Sequence, residues 1–251
     1  MNIPKRIFIV PYRNREAHKN ILIEKITEYL QDENDWEMYF SHQCDERPFN
    51  RGAIKNIGFL AMKKKYPNHY KDITFIFHDV DTYPTEKGLI DYNTTDNVVK
   101  HFYGFEFALG GMFAIKGKDF EKILGFPNFW GWGFEDNAIQ DNCINNNIKI
   151  DRSNFFKIGD KRIYQDRNEV YRLVSRGDIS LYKYKDYDNI NFIKNLNYQI
   201  KDNMININSF DVKQKIEQQD FYLRNQILSG NKMYASPGYK RKNWSMKKLF
   251  Y

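Results

Sequence analysis

Short unbroken apolar runs alternate along the chain with stretches in which apolar residues recur every three or four positions, and this alternation predicts an α/β protein. Arg6 to Val10 (RIFIV) reads as a strand buried on both faces of a parallel-type sheet. Leu22, Ile26, Tyr29 and Leu30 then share one face of a helix. Trp36 to Ser41 (WEMYFS) predicts a second strand, and Ile54, Ile57, Gly58, Ala61 and Met62 keep helical spacing behind it. Asn50 is placed to cap that helix and Arg51 falls in its first turn. An arginine there opposes the helix dipole, a conflict that eases if it faces an anion. Asp72 to Phe77 (DITFIF) is the strongest buried-strand signal. A strand-like MFAI ends at Ile115, and helices follow from about 118 to 124 and from about 135 to 145. Past residue 150 the pattern weakens. It predicts two or three strands within 151–184 and a helix over 210–228, with Ile216, Asp220, Leu223 and Ile227 in register. The turn Ser236-Pro237-Gly238 breaks structure before the end.

Composition bounds the class. The 251 residues suit one large α/β domain or two small ones, and 41% hydrophobic with 17% aromatic content supports a substantial core. Abundant Asn, Lys and Asp make the chain polar on average without removing its apolar runs, so disorder is not expected. Cys44 and Cys143 are the only cysteines, too few and too far apart for a disulfide framework or a cysteine-based zinc site, and free thiols are expected. The net charge of +7 is concentrated at the end: Lys232, Lys240, Arg241, Lys242, Lys247 and Lys248 have no acid among them. The rest is nearly neutral, which argues against a nucleic-acid groove through the fold, although the tail could touch an acidic surface. No apolar run long enough to span a bilayer and no signal-peptide core occur, so a cytoplasmic protein is expected. The expected division is a domain over 1–230 and a basic tail over 231–251.

Candidate chemistry gathers at predicted strand ends and in one loop. Phe129 to Asp141 (FWGWGFEDNAIQD) alternates Trp130 and Trp132 with Gly131 and Gly133, then meets Glu135 and Asp136 at a predicted helix start. Glycines free the backbone, indole faces stack on sugar rings, and a helix start favours carboxylates. Capping acids with core tryptophans would give part of this pattern, but a mobile aromatic loop serving a ligand accounts for the whole string. Arg13 and Arg15 follow the first strand, where open α/β sheets bind ligands. Asp79 and Asp81 end the third strand. If the backbone stays extended they point the same way with Val80 opposite, a spacing that suits a hard divalent ion able to hold a diphosphate. Gly110 and Gly111 permit a close approach or a β-bulge.

Taken in order, PYRNREAH, FNRGAIKNIGF, FHDVD, GGMFAI and GFPNFWGWGFEDN, spread over Pro11 to Asn137, resemble the β-1,4-galactosyltransferases and their close relatives. The resemblance implies a GT-A fold, a Rossmann-like nucleotide-sugar-binding α/β layer with a mostly parallel twisted sheet. It implies inverting transfer of a hexose, galactose first, from a UDP-sugar donor to a hydroxyl of a saccharide or glycoconjugate acceptor, with manganese as cofactor. By position, Pro11, Tyr12, Arg13, Arg15, Phe49 and Arg51 match the nucleotide motifs. Asp79 and Val80 face the nucleotide sugar and Asp81 is the manganese ligand. Trp132 matches the tryptophan of the closing loop. Glu135 and Asp136 match the acceptor pair, with Asp136 as base, and Asn137 and Gly111 are assigned to the acceptor side. The chain also departs from the family. Its Met-x-x-His element is absent, since no histidine follows His101, and SNFFKIGDKR stands in that region, with Asp160 as the candidate replacement ligand. Phe134 replaces a small residue and Asn137 an acid, which leaves the acceptor open. UDP-N-acetylhexosamine, UDP-xylose or UDP-glucose are alternative donors on this framework, and a carbohydrate-binding protein without turnover is the alternative outside enzymes.

Overall fold

The computed structural model describes residues 3–166, 170–216 and 220–226. Strand β1 (Arg6–Tyr12) runs two residues past the apolar run, helix α1 (Glu16–Tyr29) follows, and β2 (Trp36–Gln43) lies parallel to β1 with Phe8 opposite Met38. Helix α2 (Arg51–Lys65) begins where the capping signal places it, the Asn50 side chain accepting from the Ala53 N–H at 2.9 Å. Strand β3 (Thr74–His78) pairs parallel with β1 on its other side. The short β4 (Thr82–Pro84), β5 (Val98–Gly104) and β6 (Met112–Lys116) come next, then α3 (Gly117–Lys122) and α4 (Glu135–Asn145). Strands β7 (Lys149–Asp151), β8 (Phe156–Lys157), β9 (Ile163–Gln165) and β10 (Val170–Ser175) lead into α5 (Arg176–Tyr184). Two strands, β11 (Lys194–Lys201) and β12 (Met204–Asp211), and finally β13 (Phe221–Gln226) complete the described chain.

The central sheet has the order β11-β12-β2-β1-β3-β6-β5-β7, with β8 beside β5. Its middle, β12 through β3, is parallel from β2 onward in both directions, and β6 reverses between β3 and β5. This is the mostly parallel α/β sheet expected. Side chains alternate between two cores: Ile7, Ile9, Phe75 and Phe77 enter the core under α2, α3 and α4, whereas Phe8, Val10 and Ile76 enter the one under α1. Being apolar on both faces is what made β1 and β3 legible as continuous runs. Phe77 stacks on Phe113 and Phe120 at 5.2 and 4.6 Å, and each such buried ring contributes about 1.5–3 kcal/mol.

The second half departs from expectation. Residues 210–228 do not form a helix in the described part: Phe210 and Asp211 are the last residues of β12, and Phe221–Gln226 is a strand antiparallel to β10. The reason is tertiary. In MININSFD, Ile205 and Ile207 alternate with asparagines and are fully buried where β12 adds to the edge of β2, a period-two pattern satisfied only by a partner distant in sequence. Helix α5 is a further element that the weak pattern over 151–184 did not predict. Ile227, the Ser236-Pro237-Gly238 turn and the basic tail lie outside the described residues. Among the described residues no helix is long and apolar enough to cross a membrane, and Cys44 and Cys143 are free thiols, the first exposed and the second buried.

Candidate active site

A cleft of about 410 Å³ opens at the carboxyl ends of β1 and β3. Pro11, Arg13 and Arg15 line it from the end of β1, Phe49 and Arg51 from the start of α2, and Asp79, Val80 and Asp81 from the turn after β3. The 104–111 bend between β5 and β6 closes one side, and the tryptophan loop together with Arg172 and Leu173 of β10 closes the other. Residues separated by more than 150 positions thus meet, the early ones at the ends of parallel strands and the late ones on β9 and β10, which belong to small antiparallel pairs beside the main sheet.

Arg51 is the hub. Its Nη1 donates to Glu135 Oε1 at 2.6 Å and to Asp136 Oδ2 at 3.0 Å, while Nη2 pairs with Asp79. Burial disfavours its charge, but the three carboxylates outweigh burial and hold it firmly protonated. The anion expected opposite this first-turn arginine is therefore the protein's own acidic cluster. Lys55, one turn along α2 and buried, places Nζ 3.3 Å from Asp136 Oδ1. Burial and the neighbouring Arg51 charge pull its pKa down. Burial alone would raise the Asp136 carboxyl, yet Arg51 and Lys55 hold it below the ordinary aspartate value. It is ionised at neutral pH.

The bend that faces Asp136 is built for close approach. A Cβ at Gly110 would overlap the Asp136 carboxylate, and Gly111 has a φ of +69°, which a side chain would strain. The Leu109 N–H donates to Asp136 O at 2.8 Å, and the Asp79 N–H to Gly111 O at 3.0 Å, so bend, helix start and strand end are tied together. Behind them His101, kept neutral by burial and by Arg152 with its pKa lowered to about 4, receives the Arg152 Nε–H on Nδ1 and donates from Nε2 to Gly110 O at 2.9 Å. The register of β5 against β6 shifts between His101 and Tyr103, so a bulge and a close approach occur together.

Asp79 to Asp81 form a turn rather than an extended strand end, and Val80 joins both aspartates on the cleft wall instead of pointing away. Burial, then Asp79, push the Asp81 carboxyl up. A buried carboxylate beside another suits a hard cation, which would relieve both costs. Among the described residues no three His, Cys, Asp or Glu side chains gather to hold a metal. Asp160 lies off the cleft, where Arg162 grips its carboxylate at 2.8 and 3.0 Å. The wall near Asp81 is instead completed by Gln165, which accepts from the Tyr103 hydroxyl at 2.9 Å, and by Arg172.

The other expected residues divide between wall and support. Tyr12 is buried beside Phe40 and His42 and does not reach the cleft. Glu135, buried, receives the Gly133 N–H at 3.0 Å, and Asn137 donates to Phe107 O at 3.0 Å, so both shape the site from behind. Trp130 is nearly all core, stacked 5.7 Å from Phe210 with Nε1 donating to Gln214 O. Trp132 faces the cleft. Its N–H donates to Leu173 O at 2.6 Å, and the Arg172 guanidinium lies 5.5 Å from its ring centre. Phe134 takes a left-handed φ of 69° at the start of α4 and stacks on Tyr182. Sequence reasoning missed Lys55, Gln165 and Arg172. Lys55 carried a signal, a lysine four residues from Arg51 on an otherwise apolar helix face, whereas Gln165 and Arg172 carried none.

Comparison with solved structures fixes the class of fold. The chain matches the catalytic domain of Drosophila β1,4-galactosyltransferase 7 in complex with xylobiose with a TM-score of 0.65, at 16% identity over 86% of this chain and 97% of that one. A mutant of the same enzyme, in complex with manganese, UDP-Gal and xylobiose, matches with a TM-score of 0.63. This is the GT-A layer. Two adjacent family models also match, the N-terminal region of glycosyl transferase group 7 over residues 3–93 and the N-terminal domain of galactosyltransferase over residues 97–166. The chain belongs to the β-1,4-galactosyltransferase family of group 7. Relatives include β-1,4-galactosyltransferase 4 of Cricetulus griseus, 34% identical over 161 residues, which cover 58% of this chain and 44% of that protein. β-1,4-galactosyltransferase 5 of Mus musculus is 29% identical over 212 residues, covering 77% and 51%. The chain thus spans about half the length, or less, of these relatives.

Proposed function

We propose that the protein is an inverting glycosyltransferase that moves galactose from UDP-galactose to a hydroxyl of an acceptor sugar. The observation that carries this reading is the convergence of the arginine segment after β1, the Asp79–Asp81 turn, Asp136 and Trp132 on one cleft, with Arg51 joining Asp79 to Glu135 and Asp136. Arg13 and Arg15 give the leaving diphosphate positive partners. Nε and Nη2 of Arg13, buried at the wall, have no hydrogen-bond partner among the described residues, although Nη2 lies 3.8 Å from Asp45 Oδ1, and both can donate to phosphate oxygens. Asp136, ionised and held against the glycine bend, accepts the proton of the attacking hydroxyl. Trp132 covers the donor and keeps water from it. Asp81 would hold manganese, which when bound supplies further charge neutralisation at the diphosphate. In this reading Phe49, Arg13 and Arg15 contact the nucleotide, Gly111 lines the acceptor side that Asn137 shapes from behind, residues 1–230 act as one unit, and the basic tail is a separate segment. A cytoplasmic site of action belongs to the same proposal.

A panel of nucleotide sugars, with and without manganese and simple sugar acceptors, tests the reading through released UDP. UDP-galactose should give the greatest release. A preference for another UDP-sugar would reassign the donor, and no release from any donor would favour the non-catalytic carbohydrate-binding alternative.

A further inference from the structure

Arg172 is a cleft residue whose charge the described fold leaves incompletely partnered. It lies on β10 beside Leu173, near the mouth formed by Trp132 and Asp81. Its Nε is buried and has no hydrogen-bond partner among the described residues. Asp81 and Asp79 act on it through space, as do the like charges of Arg51 and Arg15. A buried guanidinium nitrogen without a hydrogen-bond partner is costly, and such a cost persists where a ligand offsets it.

Its position is also fixed. Trp132 donates its N–H to Leu173 O, and its ring lies under the guanidinium. The Gly131 N–H donates to Asp178 of α5 at 2.6 Å, and Val174 and Ser175 are buried. Strand and tryptophan loop form one unit that carries Arg172, so whatever holds Trp132 over the donor holds the guanidinium there too. The rigid fork of an arginine matches paired phosphate oxygens, unlike the point charge of a lysine. The opposite wall offers a metal the carboxylates of Asp81 and of Asp79, the second already paired with Arg51, with no cluster of three ligands among the described residues.

We propose that Arg172 is a fixed cationic contact for the diphosphate of the nucleotide donor, so that nucleotide binding in this protein persists when no divalent ion is present. This rests on the reading of the cleft as a UDP-sugar site and assigns its leaving-group end. No bond changes at Arg172. It donates hydrogen bonds to phosphate oxygens as negative charge grows on the departing UDP, and Trp132 and β10 keep it oriented.

The test is calorimetric titration of UDP and of uridine into the full chain in EDTA and again in manganese, for wild type, Arg172→Ala and Arg172→Lys. Wild type should bind UDP in EDTA more tightly than uridine. Arg172→Ala should lose about tenfold or more of that UDP affinity, the scale of a charge-assisted hydrogen bond, and keep its uridine affinity. Arg172→Lys should fall between, since it keeps charge and stem but loses the fork. It also serves as the folding control if the alanine variant melts early. Equal UDP affinity in EDTA for wild type and both variants would overturn the assignment while leaving the UDP-sugar reading intact. Loss of uridine and UDP binding in parallel would overturn it as well, by making Arg172 a structural residue. If wild type binds neither UDP nor uridine under any condition, the functional reading fails and the assignment with it.

Discussion

At the scale of single residues, the cleft is organised by one arginine that pairs with three acids. Removing such a partner leaves buried charge uncompensated, whereas Asp136 is the one of the two acids at the start of α4 that lines the cleft. Asp136→Asn keeps size and most hydrogen bonding but removes the proton acceptor. Turnover should fall by roughly two to four orders of magnitude while UDP binding survives. Steady-state kinetics beside calorimetry decide this, and near-normal turnover in a folded Asp136→Asn protein would shift the role to Glu135. Because Arg51 and Lys55 hold the Asp136 carboxyl below the usual aspartate range, its ionisation should not limit the rate between about pH 5 and 8. Its contribution to stability has the matching sign: present above the ordinary aspartate pKa and lost only as pH falls through the depressed value.

At the scale of elements, the tryptophan loop, β10 and α5 act together, and Asp178 joins them. It accepts from the Gly131 N–H while its Oδ1 has no partner among the described residues. Burial pushes this carboxyl up to about 7, and Glu135 and Asp188 add to the effect against the Gly131 and Ser175 hydrogen bonds. The folded protein therefore binds a proton that the unfolded chain releases near the ordinary value of 3.8. The associated stability is fully present below that value and is lost as pH rises to about 7, after which it stays flat. Thermal melts from pH 4 to 8.5 should show this fall in wild type and a flatter profile in Asp178→Asn, compared by the difference between the two curves. Identical slopes would remove Asp178 as the titrating group.

At the scale of the whole molecule, the cleft is bordered by the ends of β1 and β3, the β5–β6 bend, the tryptophan loop and β10, so a ligand there bridges segments from both halves of the chain. UDP binding only the folded form should raise the melting temperature, by about 2.7 kcal/mol of stability at a hundredfold excess over Kd. Scanning fluorimetry with UDP against uridine alone measures this, and an unmoved melting curve at saturating UDP would count against the site. Much of this arrangement was legible in residues. β1 and β3 showed as continuous apolar runs because both their faces are buried, Asn50 showed as a cap because capping is a local hydrogen bond, and α4 starts at Glu135 where its acids signalled. What the sequence could determine by itself was whatever depends on neighbours a few positions away, namely periodicity, caps, turn residues and the order of the motifs. Tertiary structure alone decided the rest: that Asn-Ile alternation in β12 is a strand on the edge of β2, that Tyr12 and Trp130 go to the core while Trp132 faces the cleft, that Asp160 pairs with Arg162, and that Lys55 and Arg172 stand beside acids. The reason is physical. Strand pairing and the field at a buried charge are set by partners distant in sequence, and no local pattern records them.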